Sequence, residues 1–451
     1  MANTYLTWTP SANPTGSAKT WTFSAWLKFG SENPGMFLSA GSGTQSKFIF
    51  GAYGGGDIDI LTYAGYVINI NTARLFRDLN AWYHVVLSCD TTQATNTNGI
   101  KLYINGVQET LTFNSAGGEN GYTQNTSLRV GTNGEPIHIG RNIDDSQYFN
   151  GSMSYVAFVD GQQLTPSTFG ETDSTTGEWK IKTSITPGGT GWGTNGFFIL
   201  KDGNSVTDQS GQGNNFSVGG GTLTKTEDSP SNVFATMNVL ANFGTQWALF
   251  ENVNTYVRSA GSGEAFIASN LGIPATSGKF YTEVKYTQGG SASNIGISGR
   301  MNPTAAADYV GNKADSYVYR QNGQKKSDDV ASSYGNSYAV GDIIGIAVDA
   351  TNSKIYFSKN GVWQNSGDPT SGATGTGAAF TISTTPTDGF YFMACAKESG
   401  SDKNYYAWNF GNGYFQTTAV SSAGTNASGI GIFEYDVPTG YTALSTKGLN
   451  L

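Results

Sequence analysis

Alternation of apolar and polar side chains is the strongest pattern along the chain. From Thr20 to Phe29 it places Trp21, Phe23, Ala25, Leu27 and Phe29 on one side and mainly Thr, Ser and Lys on the other. That period of two predicts a half-buried antiparallel strand. Trp82 to Asp90 and Ile100 to Ile104 predict two more strands around an Asn/Thr-rich loop, and Asn105-Gly106 follows as a type I′ hairpin signal. Ile137 to Arg141 and Phe149 to Phe158 continue the meander. Leu164-Thr165-Pro166-Ser167 then predicts a short helix with Thr165 as N-cap and Pro166 at its first position.

From about 174 to 236 the texture changes to Gly, Thr, Asn and Ser with Pro187 and Pro230, which predicts a connector. Within it, Gly196 to Leu200 reads as an added strand and Asp208-Gln209-Ser210-Gly211 as a tight turn. A second β region begins near Trp247, with strands at Gly278 to Tyr286, Asn294 to Ile297 and Asp342 to Asp349. Lys354 to Lys359 then runs into Asn360-Gly361, paralleling Lys101 to Gly106 in the first half and suggesting two related sandwiches rather than a short-period solenoid. The expected layout is a β-sandwich over 1–173, a connector over 174–236, a second sandwich over 237–420 and a tail over 421–451.

Composition agrees with an all-β chain. Only 37% of the 451 residues are hydrophobic and 13% charged, with 61 glycines, which excludes helical bundles and coiled coils. The 25 Phe, 24 Tyr and 9 Trp supply the buried area that the sparse aliphatics do not. A net charge of −8 with scattered Lys and Arg argues against nucleic acid as a partner. No run approaches the roughly 20 apolar residues of a membrane-spanning helix, and Met1 to Leu6 lacks the features of a signal peptide, so no membrane insertion is expected. Cys89 and Cys395 each fall in an apparent strand and are expected as buried free thiols.

The first half resembles a laminin-G-like or pentraxin-like jelly roll of the concanavalin A superfamily, through Trp21 to Trp26, Trp82 to Val86, Lys101 to Gly106, Ile139-Gly140-Arg141 and Phe149-Asn150-Gly151. The second half resembles a SPRY domain, through Gly278 to Val284, Gly341 to Asp349, Ile355 to Gly361 and Asn409-Phe410-Gly411. The fold class implied is all-β, with two concanavalin A-like antiparallel β-sandwiches. Joined by Asp228 to Asn238 and closed by Pro438 to Thr446, the pair is similar to structural proteins of tailed phages. That resemblance implies a bacteriophage virion protein, a tail fibre or tail-associated appendage that binds host-surface glycan or protein. It implies other virion proteins as partners, a homo-oligomer, and assembly in the host cytoplasm. The alternative is a capsid decoration or tail connector with a purely structural role. Ser421 to Ile430 is longer than the closing loop expected of the family. Of the two termini, Ser421 to Leu451 is the preferred anchor over Met1 to Thr15, since Ile432 to Tyr435 suits strand addition to a neighbour or closure of its own domain.

Enzymatic chemistry finds little support in the residues. Glucanases of the concanavalin A superfamily place carboxylates as Glu-x-Asp-x-x-Glu or Glu-x-Asp-x-Glu on one strand face, and no such run occurs; Asp57-Ile58-Asp59 lacks a third carboxylate and Glu434-Tyr435-Asp436 falls in the tail. His84 and His138 lie in separate strands without a nucleophile motif, and neither zinc spacing nor a phosphate-binding glycine loop is present. Matches to Asn-x-Ser/Thr at Asn125, Asn215 and Asn426 are the chance yield of a chain rich in these residues. No enzyme is expected. Calcium is the one cofactor that the resemblance admits, with Asp57, Asp59, Asp144 and Asp145 as candidate oxygen ligands set against their reading as solvated turn charges. For glycan, aromatic rings beside Asn and Asp single out Tyr53, Asp57, Tyr122, Asn125, Tyr148, Asn150, Tyr317, Tyr319 and Asn322, each weighed against a place in the core, a hairpin or an interface.

Overall fold

The computed structural model describes residues 3–43, 46–63, 68–79, 81–116, 119–120, 122–201, 203, 205–244, 248–259, 263–290, 292–302, 308–398 and 403–451. Trp247, expected near the start of the second β region, lies outside them. The chain divides into two compact units, Met1–Lys225 and Thr226–Leu451.

In the first unit the alternating strand Thr20–Phe29 pairs with Trp82–Asp90 on one side and Gly151–Asp160 on the other, inside a six-stranded sheet. An eight-stranded sheet covers it, in the order Leu111–Phe113, Ile68–Thr72, Asp59–Tyr63, Ser46–Ala52, Gly35–Gly43, Ile137–Ile139, Tyr5–Trp8, Ser217–Gly220. Aromatic rings fill the space between: Trp21 meets Phe48 edge-on at 5.4 Å and Phe23 meets Phe50 at 6.0 Å. This is the packing of a two-sheet sandwich. Asn105 and Gly106 take φ of 49° and 82°, as a type I′ turn requires. Pro166–Thr168 forms a 3₁₀ turn with Pro at its start, but Thr165 makes no side-chain cap.

The expected connector is folded into the units. Phe197–Ile199 pairs with Val156 to Phe158, Ser217–Gly220 pairs with Tyr5 to Thr7, and Trp179–Ile181 forms a hairpin with Gly170–Thr172. The added strand expected at Gly196 to Leu200 is thus present, while the rest of the stretch reads as a linker because it buries aromatic side chains at few positions, among them Phe197, Phe198 and Phe216. The tight turn at Asp208 is present, its carboxylate accepting from the Ser210 and Asn214 N–H groups.

The second unit also has two sheets. A seven-stranded sheet runs from Met237–Gly244 through Ala265–Pro274, Phe390–Lys397, Ser293–Ser298, Ser316–Arg320 and Gln324–Ser327 to Val330–Ser333. The other is built around Lys279–Gln288, Ile343–Asp349, Lys354–Lys359 and Tyr405–Asn409. Tyr319 stacks on Phe357 across the core at 5.7 Å. The predicted turn at Asn360-Gly361 takes φ of 49° and 79°.

Residues 421–451 form part of this unit instead of a separate tail. Thr442–Ala443 adds a parallel strand beside Phe280 and Tyr281, and Phe433, Tyr441 and Leu444 are in the core. The buried Glu283 carboxylate accepts from the Glu434 and Tyr435 N–H groups at 2.8 Å and from the Tyr281 hydroxyl at 3.1 Å. Ile432 to Tyr435 therefore closes its own domain. Both cysteines are buried free thiols, and burial raises each thiol pKa.

Candidate functional site

Strict alternation in Ile68-Asn69-Ile70-Asn71 sends the isoleucines into the first core and leaves the asparagines on the opposite face of the eight-stranded sheet. Register sets Asp59 opposite Asn71 and Leu61 opposite Asn69. The side chains join in a ladder. Asn114 Nδ2 donates to Asn71 Oδ1 at 2.9 Å and to Asn69 Oδ1 at 3.3 Å, and Asn71 Nδ2 donates to Asp57 Oδ2 at 2.9 Å. Asp59 stands beside them; burial, with a smaller contribution from the Asp57 charge, pushes its carboxyl up to about 7. A carboxyl of that kind both donates and accepts near neutral pH. Tyr53, half-buried, packs on Met36, Ile49 and Leu61. The ladder thus combines the predicted Asp57, with Asp59 beside it, with Asn69, Asn71 and Asn114, which sequence reasoning missed although the alternation of Asn69 and Asn71 with isoleucine marked the face.

The other predicted residues scatter. Tyr122 is a core residue whose hydroxyl donates to the Gln93 carbonyl at 3.0 Å, so its ring offers no platform. Asn125 is exposed in a turn at φ 69°. Tyr148 is half-buried with its ring 6.2 Å from Tyr5, while Asn150 holds the loop to Pro34 through its backbone. Tyr317 and Tyr319 are also corrections: both rings are in the second core, because their face of Ser316–Arg320 packs against the opposite sheet. Asn322 is exposed and lines a cavity with Arg320 and Gln321.

Asp144 and Asp145 are already engaged by cations. Lys47 Nζ lies 2.6 Å from Asp144, and Arg141 pairs with Asp145. Among the described residues no group of three or more His, Cys, Asp or Glu side chains converges to hold a metal ion.

Both histidines are used structurally. His84 is fully buried between the rings of Trp26 and Trp179, at 4.8 and 5.9 Å. Trp179 Nε1 donates to His84 Nδ1 at 2.9 Å, so Nε2 carries the proton and donates to Ser24 Oγ at 2.9 Å. This tautomer is the wrong one for removing a proton from Ser24, and desolvation lowers the His84 pKa to about 3. Arg141 Nε donates to His138 Nδ1 at 3.0 Å while its guanidinium lies 3.7 Å over Tyr5; desolvation first, and Arg141 second, lower the His138 pKa to about 4.

Residues 1–168 match the Laminin_G_3 family, described as the concanavalin A-like lectin/glucanases superfamily, and residues 279–404 match the SPRY domain. The chain therefore carries a concanavalin A-like domain followed by a SPRY domain. No curated protein matches it. Among solved structures, the SPRY domain of human HERC1 is 16% identical, with 36% of this chain and 91% of that chain covered and a TM-score of 0.27. A native heptameric SAP-like pentraxin from Limulus polyphemus is 15% identical, covering 36% and 72%, at 0.26. A putative carbohydrate binding protein from Bacteroides ovatus ATCC 8483 is 16% identical, covering 50% and 60%, at 0.30. At these scores the likenesses carry no argument about function.

Proposed function

We propose that this chain of a concanavalin A-like domain and a SPRY domain is a bacteriophage virion structural protein, a tail fibre or tail-associated appendage that binds host-surface glycan without catalysis. The observation that supports it most is the Asp57–Asn71–Asn114–Asn69 ladder with Asp59 beside it. Side-chain amides and carboxyls held side by side on a sheet face match the alternating donors and acceptors of sugar hydroxyls. Non-catalytic action is supported by His84, whose two ring nitrogens are both committed within the fold.

Adsorption competition tests this reading. Purified protein is expected to slow attachment of phage particles to host cells, and the double variant Asp59→Ala/Asn71→Ala to compete about tenfold less well, the loss of one or two hydrogen bonds. Absence of competition by the unaltered protein favours a purely structural role in the particle. The raised carboxyl of Asp59 is also what a glycosidase acid needs, so host polysaccharide is incubated with the protein in parallel. No turnover is expected, and turnover abolished by Asp59→Asn would overturn the non-catalytic assignment.

A further inference from the structure

The second unit holds a cavity of about 440 Å³ lined by Ser293, Arg320, Gln321, Asn322, Ser337 and Tyr338, among others. Its size is in the range of small-molecule sites. Beneath it the Tyr338 and Tyr406 hydroxyls each lie 3.0 Å from Ser293 Oγ, and Tyr406 also donates to the Ala396 carbonyl at 2.8 Å. The rim is tied at the backbone: Gln321 N–H donates to the Ser293 carbonyl at 3.0 Å and Tyr338 N–H to the Gln321 carbonyl at 2.9 Å. The cavity is therefore preformed, which lowers the ordering cost of binding.

Its charges cancel locally. Glu398 pairs with Arg320 at 2.6 Å and with Lys326 at 2.7 Å, and Lys326 pairs with Asp329 at 2.7 Å, two cations against two carboxylates. Lys359, which donates to the Ser337 carbonyl, is matched by Asp342 at 3.1 Å. An anion would have to compete with Glu398 for Arg320. By contrast, the half-buried Gln321 and the exposed Ser337 line the cavity with side chains that carry no charge. Both groups donate and accept, as a sugar hydroxyl does.

We infer that this cavity is a second glycan subsite, taking a neutral polyhydroxylated ring through Gln321, Ser337 and the already paired Arg320. The inference rests on the glycan-binding reading above and assigns the SPRY domain a binding role separate from the sheet-face ladder. With hydrogen bonding and no exposed aromatic ring to stack on, a single sugar binds with a Kd on the order of millimolar.

Saturation-transfer NMR on the full chain with methyl α-glucoside, methyl α-galactoside and methyl α-mannoside tests it. At least one glycoside is expected to receive saturation. The signal should fall in part in Gln321→Ala/Ser337→Ala and in Ser337→Trp, which fills the mouth at an exposed position, and to background when either is combined with Asp59→Ala/Asn71→Ala, with the melting temperatures of the Gln321 and Ser337 variants unchanged. Inorganic phosphate should not displace the sugar. No transfer to any of the three, transfer undiminished in both variants, or displacement by phosphate overturns the inference. Asp59→Ala/Asn71→Ala should retain part of the signal; complete loss there moves the sugar to the first unit and overturns this subsite while leaving the adsorption reading intact.

Discussion

His84 shows how a residue type that advertises chemistry is spent on structure. Buried between two indoles and bonded at both nitrogens, it stays neutral with a pKa of about 3, against about 6.5 when unfolded. The unfolded state binds the extra proton, so this contribution to stability is complete above pH 6.5 and is lost as pH falls toward 3, at about 1.4 kcal/mol per unit. Urea unfolding between pH 7 and pH 4 is expected to show this loss, and His84→Phe, although less stable at pH 7, to show a slope shallower by up to that amount. An unchanged slope would mean that His84 is protonated in the folded protein. Trp179, which fixes the tautomer, lies in the Gly-rich stretch 174–236 and carried no signal in the sequence because its partner is 95 positions away. The tyrosines at 317 and 319 were misplaced for a related reason. In Tyr317-Val318-Tyr319 both faces are apolar, and Val318 fills a small cluster of its own on the outer side, so alternation could not say which face meets the core.

At the scale of elements, the hairpin turns were the most legible features, since Asn-Gly is selected by backbone conformation before any packing. Packing then adds to the demand. A Cβ at Gly361, φ +79°, would come within 2.6 Å of the Tyr435 ring, whereas one at Gly341, φ +100°, meets nothing within 4 Å. Gly341→Ala is expected to cost about 1 kcal/mol from backbone strain alone, and Gly361→Ala about 2–3 kcal/mol, by denaturant unfolding. Equal losses would show that Tyr435 moves aside freely. The stretch 421–451 was less legible. Part of its hold on the domain comes from Glu283, a carboxylate in the middle of a distant strand whose burial and amide partners leave no local trace. The sheet-face ladder lies between these cases: the Ile/Asn alternation marked the face, but only register brought Asn114 and Asp57 to it.

For the whole molecule, ordered motifs for a concanavalin A-like and a SPRY domain were readable because each spans several consecutive strands. The boundary was not, because Phe197–Ile199 and Ser217–Gly220 complete the first unit from within a composition that resembles a linker. The two surfaces proposed above for glycan, a half-buried amide and carboxyl ladder on one unit and a charge-compensated cavity on the other, would suit a protein that meets a varied polysaccharide. They have that use only if the protein stands on the outside of the particle near the host. Gold-labelled antibody against this protein, viewed by electron microscopy on intact phage particles from a lysate, tests that claim directly. Label on the tail or its fibres is the predicted result. Label spread over the head, or particles without label while the antibody binds the purified native protein, would contradict it.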